Sequence, residues 1–305
     1  MDQYVRDGWT WDPNDKVEDL YSPYVVLLLQ SDAVALLLSF PETMQRNPLL
    51  PSWCPDLHYR QISDVLADHE GHHAGFNVMT QVRLDWDQYN KDPKTLRIKG
   101  IVMDTVKSVI EDEWETDMGE DCLETRPTSA RMQKIIELMQ KYTVLAGDFV
   151  SATELWRIFI GNVVGDEDSK LHLLRGFSSI HDRLVKRKWK VKADTLRSAY
   201  EELKSWKPEM GEPSAAIQQY LKNARKVCFG RRFFTSESGR IGFGPRSMMV
   251  GDVVCIFKKV KVPFVLQQYL SLPDTYFLKG KAYIHGLMYG EYLKVNKNFC
   301  WISMM

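Results

Sequence analysis

The chain has 305 residues, of which 44% are hydrophobic and 26% are charged, as in an ordinary globular protein. Forty basic residues balance forty acidic ones, so no overall field attracts nucleic acid or an anionic membrane, and either partner would need a local patch. Five scattered cysteines without a C-x-x-C pair argue against a disulfide framework. Together with an N-terminus that lacks a signal-peptide pattern, they predict a cytoplasmic protein.

Residues 1–60 are predicted to form an N-terminal helix followed by a connector rich in proline and tryptophan. Residues 15–40 carry apolar side chains at helical spacing, and polar residues divide the most apolar part into pieces shorter than the roughly 20 residues of a membrane span. Four prolines between positions 41 and 55 then favour extended chain. We expect Trp53 to pin this connector onto the core.

Residues 61–305 are predicted to form a single α+β domain that starts with strands over about 74–112. The segments 74–83 and 95–110 are rich in alternating apolar residues, and Gly100 is expected to mark a bulge or a bend in the second. The acidic run 111–124 is predicted to be an exposed loop.

A helical insertion is predicted over about 128–229. Helices are expected over 129–143, 171–185 and 213–228, and the charged stretch 186–208 is expected to be part helix and part loop. A further helix should follow Ser151-Ala-Thr-Glu154, which reads as a capping box in which Glu154 reaches back to the Ser151 backbone.

From about 230 to 291 short apolar runs alternate with Gly, Pro and Asp turns, a pattern typical of β-hairpins. Strands are predicted over 231–236, 240–243, 253–258, 263–267 and 276–285. The order of strands, helices and strands predicts an α+β fold. In it, mid-chain and C-terminal strands form a β-barrel or sandwich with a helical insertion between them.

The segment His69-Glu-Gly-His-His73 matches the H-E-x-x-H pattern of zinc hydrolases. That chemistry needs the motif inside a stable helix, and two glycines, Gly71 and Gly75, each cost a helix about 1 kcal/mol relative to alanine. No third histidine ligand follows at the expected spacing. A polar loop is therefore preferred, and a zinc-dependent hydrolase using His69, Glu70 and His73 is the alternative function.

Other candidates favour structural interpretations. The basic run 186–192 is expected to be a solvated helix end rather than a nucleic-acid site, and the glycines of 239–245 are expected at turns, because no helix follows to hold a phosphate. His285 and Glu291 could do acid–base work across a hairpin, although a structural histidine is the more common outcome. Cys255 and Ser247 stand in no nucleophile motif.

Four blocks, in register over about 15–291, resemble the C-terminal region of fungal heterokaryon-incompatibility (HET) domain proteins. They are Leu50-Pro-Ser-Trp-Cys-Pro-Asp56, Leu96-Arg-Ile-Lys-Gly-Ile-Val-Met-Asp104, Glu154-Leu-Trp-Arg-Ile-Phe-Ile160 and the glycine-punctuated stretch from Arg231 to Glu291. We expect the residues that carry the resemblance to be structural: Trp53, Pro55, Asp56, Gly100, Asp104, Trp156, Arg157, Arg232, Gly239, Gly242, Gly244, Pro245, Gly251, Asp252, Pro263, Tyr283, His285, Gly286, Gly290 and Glu291.

The family's N-terminal signalling domain carries a Leu-Ser-Tyr-x-Trp-Gly type of motif, and no such string occurs in this sequence. Relatives often have Asp where this chain has Tyr289, which weakens acid–base chemistry at that hairpin. The resemblance therefore implies a non-catalytic recognition or regulatory module of self/non-self incompatibility. We expect an unidentified protein partner, no nucleic acid, no membrane, no metal and no cofactor.

Overall fold

The computed structural model describes residues 49–54, 74, 85–92, 94–111, 129–147, 154–162, 193–272 and 274–305. Several predicted features lie outside these residues. They are the helices 15–40 and 171–185, the H-E-x-x-H segment 69–73, the strand 74–83 beyond Ala74, the acidic run after Glu111, the basic run 186–192, and Ser151, Pro55 and Asp56.

Six α-helices lie in the described ranges. They are α1 (Trp86–Lys91), α2 (Ser129–Ala146), α3 (Leu155–Phe159), α4 (193–205), α5 (Ala215–Cys228) and α6 (Glu291–Val295). The four from α2 to α5 fall within the predicted insertion. Ser214 caps α5 by accepting a hydrogen bond from the Ile217 backbone at 3.3 Å. The predicted capping box is wrong in one respect, because Glu154 is itself the N-cap of α3 and its side chain makes no capping hydrogen bond. No helix in these ranges is both long enough and apolar enough to span a bilayer.

Eight strands lie in the described chain. They are β1 (Leu96–Ile110), β2 (Arg231–Ser236), β3 (Ile241–Pro245), β4 (Val253–Phe257), β5 (Phe264–Gln268), β6 (Thr275–Lys281), β7 (Tyr283–Ile284) and β8 (Cys300–Met304). Mid-chain and C-terminal strands thus share one sheet system, which confirms the predicted α+β barrel with a helical insertion.

Five of the strands form a sheet that closes into a barrel. The order is β1, β4, β5, β6, β8 and back to β1, with every pair antiparallel except the parallel pair of β6 and β8. Closure pairs both sides of each strand and leaves no long edge open. The barrel interior is filled by apolar side chains that include Ile98, Phe257, Phe264 and Ile302.

The far end of β1 belongs to a second sheet. Residues 106–110 pair with β2, which pairs with β3, which pairs with the two-residue strand β7. The helical insertion packs on this sheet through aromatic rings. Tyr142 of α2 stacks on Phe233 with ring centres 4.8 Å apart and meets Phe243 edge-on at 5.6 Å. Each such ring contributes about 1.5–3 kcal/mol by burial, so the two layers share one core.

Gly100 does not form the bulge or bend that the sequence predicts. It pairs in unbroken register with Phe257 on one side and Cys300 on the other, and the register shifts of β1 occur further along, around positions 103 and 107. A Cβ at Gly100 would lie 2.7 Å from Ile302 Cδ1 and 3.0 Å from Cys255 Sγ. The residue is therefore small because the barrel interior is full at that point.

Two elements near the C-terminus also differ from expectation. The single predicted strand 276–285 is two strands, because β6 pairs with β5 whereas β7 turns away to pair with β3. The predicted strands end at about 291, yet α6 and β8 follow, and β8 is the strand that closes the barrel. Trp53 is fully buried and its indole N–H donates to the Lys94 carbonyl at 3.0 Å, so the described part of the connector does lie on the core.

Candidate functional site

Two of the blocks that carry the family resemblance meet where α3 packs against the segment 283–291. Helix α3 is short and almost fully buried, and the Tyr220 hydroxyl of α5 donates to the Trp156 carbonyl at 2.9 Å. The chain then reverses through Gly161 and Asn162, both with positive φ, of +63° and +51°. A Cβ at Gly161 would lie 2.9 Å from Val227 Cγ2, so this turn is closely packed against α5.

The segment 283–291 reverses direction at two glycines, Gly286 and Gly290, each with φ of +77°. Between them Tyr289 makes two hydrogen bonds. Its backbone N–H donates to Glu291 Oε2 at 2.7 Å, and its hydroxyl donates to the Asn162 carbonyl at 2.7 Å. Tyr289 therefore ties the C-terminal segment to the turn after α3.

His285 lies between a phenol and a carboxylate. Its Nδ1 is 3.2 Å from the Tyr283 hydroxyl, and its Nε2 is 3.5 Å from Glu154 Oε2. The side chains of His285 and Glu154 are 20% and 49% exposed, so the ion pair is only partly shielded from solvent and contributes little unless the imidazole is protonated. Sequence reasoning assigned Glu154 to helix capping and considered Glu291 for His285, and no local signal links residues 131 positions apart.

Burial raises the pKa of Tyr283 well above its ordinary value, and the neighbouring Tyr289 and Glu291 raise it further. The Tyr283 phenol therefore stays protonated at neutral pH, and it serves the imidazole as a neutral hydrogen-bonding partner. The arrangement orients His285 and joins the insertion to the barrel.

Two buried cysteines of the described chain, Cys228 and Cys255, are not activated nucleophiles. Burial raises the pKa of both Cys228 and Cys255 well above the ordinary thiol value, so both remain thiols, whereas reactive cysteines are thiolates. Ser247 is exposed in the turn after β3. Nowhere in the described ranges do three His, Cys, Asp or Glu side chains come together in a way that could hold a metal ion. The zinc alternative rests on residues 69–73, outside those ranges.

Asp104 and Asp252 bind backbone N–H groups in turns. Asp104 Oδ1 accepts from the Thr105 and Ser238 amides at 2.9 and 3.2 Å, and Oδ2 accepts from the Ser238 hydroxyl. Asp252 Oδ2 accepts from the Met249 amide at 2.8 Å. Asp104 therefore fixes the hairpin turn between β2 and β3, and Asp252 fixes the turn that connects β3 of the second sheet to β4 of the barrel.

The remaining residues of the resemblance lie at close approaches, turns and strand ends. Gly242 and Gly244 of β3 face the Tyr283 carbonyl and the Met248 sulfur, where a Cβ would lie at 2.1 and 2.5 Å. Gly239 and Gly251 have positive φ, and Pro245 is the last residue of β3. The Arg232 guanidinium donates to the Met248 carbonyl, and the Pro263 carbonyl accepts from the Ala282 amide. The Arg157 guanidinium lies 5.2 Å from the centre of the Trp156 ring.

Comparison with known proteins gives one family and one relative. Residues 94–299, more than half of the chain, match the Het-6 beta-barrel domain family. The chain is 24% identical over 274 residues to the heterokaryon incompatibility protein 6, OR allele, of Neurospora crassa, an alignment that covers 79% of this chain and 38% of the relative. This chain thus spans well under half of that protein's length. No solved structure matches. The barrel and the matched residues together identify the chain as a member of the Het-6 beta-barrel domain family.

Proposed function

We propose that this chain is a non-catalytic recognition or regulatory module of a HET-type incompatibility system, and that it acts by contact with another protein. The observation that carries the proposal is the match to the Het-6 beta-barrel domain, together with the incompatibility role printed in the name of the Neurospora crassa relative. Since the chain spans 38% of that relative, the role of the whole relative is extended here to this chain as part of the proposal.

The positions of the motif residues support a non-catalytic role. Where the structure describes them, most of them bind backbone groups, occupy tight turns or leave room for a neighbouring strand, as Asp104, Gly239 and Gly242 do. Catalytic sites instead collect titratable groups whose pKa values are tuned toward reaction. Burial instead raises the pKa values of the Cys228 and Cys255 thiols, whereas a nucleophilic cysteine needs a lowered pKa.

The proposal is tested by expressing the chain in Neurospora crassa, in strains that carry or lack the related incompatibility protein. A recognition or regulatory module should change hyphal growth or the fraction of dye-stained dead cells after strain fusion, in a manner that depends on the related protein. Equal growth and viability in all strains, with the chain detected by immunoblot, would contradict the proposal.

The rival zinc-dependent hydrolase is tested on the purified protein by elemental analysis and hydrolase assays. Stoichiometric zinc that is lost in His69→Ala, or turnover of a hydrolase or NAD-cleavage substrate that one point change abolishes, would replace the recognition role by an enzymatic one. Metal-free folded protein without turnover agrees with the recognition role.

A further inference from the structure

The outer face of the barrel carries a compact group of cations and aromatic rings. Lys99 of β1 pairs directly with Trp301 of β8, and the Lys99 ammonium lies 5.2 Å from the centre of the Trp301 ring. On the other side of β1, the Lys258 backbone N–H donates to the Lys99 carbonyl at 2.8 Å, and the Lys258 ammonium lies 5.3 Å from the Phe299 ring. We call these four residues, Lys99, Lys258, Phe299 and Trp301, the Lys99–Trp301 surface.

One ring of this surface, Phe299, is held in place by apolar side chains beneath it. Phe299 packs against a small apolar cluster on the outside of the barrel, formed by Ile101, Ile256 and Leu293. Trp301 and Phe299 are each half-buried, so part of each ring remains open to solvent. Ordered rings of this kind offer apolar contact area at a low entropic cost, which is what interface anchors provide.

The two lysines of the surface have no acidic partner within the described part of the chain. Among the residues that the structure describes, neither Lys99 nor Lys258 forms an ion pair, whereas the adjacent Arg97 is bound to Asp85 at 2.8 Å. Lys294 of α6 and Lys297 are exposed and lie close in sequence to Phe299. Although the chain has zero formal net charge, two cations without a described ion pair therefore lie beside two half-buried rings.

We propose that the Lys99–Trp301 surface docks an acidic segment of a partner protein, with carboxylates on Lys99 and Lys258 and an apolar side chain on the two rings. The proposal rests on the recognition role proposed above and names the contact through which that role is exercised. The charge complementarity selects an acidic partner, and the rings select one that carries an apolar or aromatic residue between its carboxylates.

The size of the surface favours a short peptide over a nucleic acid. Neighbouring strands lie about 4.8 Å apart, so the three strands β4, β1 and β8 present about 10 Å of cationic and aromatic surface, the length of about three extended residues. A polyanion continuing along β1 would next meet Arg97, whose guanidinium is already paired with Asp85 at 2.8 Å, so the available cationic surface ends there.

The test uses the full chain and a fluorescein-labelled peptide of four Glu-Leu-Asp repeats, with binding measured by fluorescence anisotropy. A peptide of four Gln-Leu-Asn repeats is the neutral control. The parent chain should bind the acidic peptide and not the neutral one, with an affinity that falls as salt rises. Lys99→Glu/Lys258→Glu should weaken binding by at least about tenfold, because like charges then face each other.

Matched variants distinguish an effect of this surface on peptide binding from effects of net charge and of altered folding. Lys207→Glu/Lys222→Glu makes the same change in net charge on the exposed helical insertion and should leave binding unchanged. If the charge reversal perturbs the circular dichroism spectrum, Lys99→Gln/Lys258→Gln removes the charges without repulsion and should still weaken binding. Trp301→Ala should weaken binding while preserving its salt dependence.

Three results would overturn the inference. They are no binding of the acidic peptide by the folded parent, equal binding by the lysine variants, and tighter lysine-dependent binding of a 15-residue oligothymidine or of phosphatidylserine vesicles than of the peptide.

The growth assay separates the two proposals. A growth effect that persists in Lys99→Glu/Lys258→Glu keeps the recognition role and removes this surface from it. Lysine-dependent peptide binding by a chain without any growth effect supports the surface and contradicts the role.

Discussion

Replacing Gly242 by alanine should destabilise the protein by about 3 kcal/mol. A Cβ at this position would lie 2.1 Å from the carbonyl oxygen of Tyr283 and 3.1 Å from Ile284 Cα. Because both atoms are backbone, no rotamer change relieves the contact, and β3 and β7 must separate by about 1 Å to restore a normal non-bonded distance.

The pairing of β3 with β7 is short, so a separation of the two strands would disrupt most of its hydrogen bonds. It consists of two residue pairs, and the His285 amide adds a hydrogen bond to the Ile241 carbonyl at 3.0 Å. Overpacking costs about 1–3 kcal/mol in protein cores, and each lost hydrogen bond costs about 1 kcal/mol more. The upper part of this range is therefore expected at Gly242.

Urea unfolding followed by tryptophan fluorescence measures the free energy of unfolding of the parent and of each variant. Gly244→Ala is the matched control on the same strand, because its Cβ would meet the Met248 sulfur at 2.5 Å, and the end of a methionine side chain can rotate away. We expect Gly244→Ala to cost less than about 1.5 kcal/mol. If the two alanine variants unfold at the same urea concentration, the steric argument for Gly242 is refuted.

Three further predictions concern single polar groups. Asp104→Ala should lower the free energy of unfolding by about 1–2 kcal/mol in the same urea assay, because it removes the acceptor of the Ser238 and Thr105 amides, and Asp104→Asn should recover part of the loss. Burial raises the pKa of Asp252, so its ionised form is unfavourable in the folded protein, and Asp252→Asn, which keeps an acceptor for the Met249 amide, should have a melting temperature no lower than that of the parent at neutral pH. As the pH falls toward the ordinary carboxyl value of 3.8, the melting temperature of the parent should rise relative to that of the variant. A variant that melts far lower than the parent at neutral pH would contradict this. Burial raises the pKa of Tyr200 to about 12, so the stability that its protonated phenol contributes is complete below the ordinary pKa of 10 and is lost as the pH rises through 12. Tyr200→Phe should therefore unfold at a higher pH than the parent in an alkaline titration followed by circular dichroism. Equal unfolding midpoints for the two proteins would contradict this prediction.

Features that depend on local pattern were predictable. The alternating run at 95–110 matches β1, and the runs after residue 230 match β2 to β5 within a few residues, because hydrophobic period and glycine turns act over short distances. Strand β8 was missed because no glycine or proline adjoins Cys300-Trp-Ile-Ser-Met304, and the asparagines before it, Asn296 and Asn298, are a weaker turn signal. The break between β6 and β7 was missed because it depends on two different distant partners.

The site was less predictable than the fold for the same reason. Three strands meet at Gly100, and the atoms that exclude a side chain there come from Phe257, Cys255 and Ile302, far along the chain. Likewise, the ion pair of His285 with Glu154 exists only after α3 has packed beside the C-terminal segment. Residue types suggested that these positions mattered, and only the assembled core shows what each one touches.

The long strand β1 leaves the barrel and pairs with β2, so that Ile110 lies opposite Phe233. The helical stretch between them therefore begins and ends at adjacent points of the second sheet, as an inserted segment does in a host domain. In a flexible connection, doubling the loop length adds only about 0.6 kcal/mol of closure entropy. Extra length is therefore tolerated in the connections of such an insertion, whereas the helix that places Tyr142 on Phe233 is constrained by the core that both layers share.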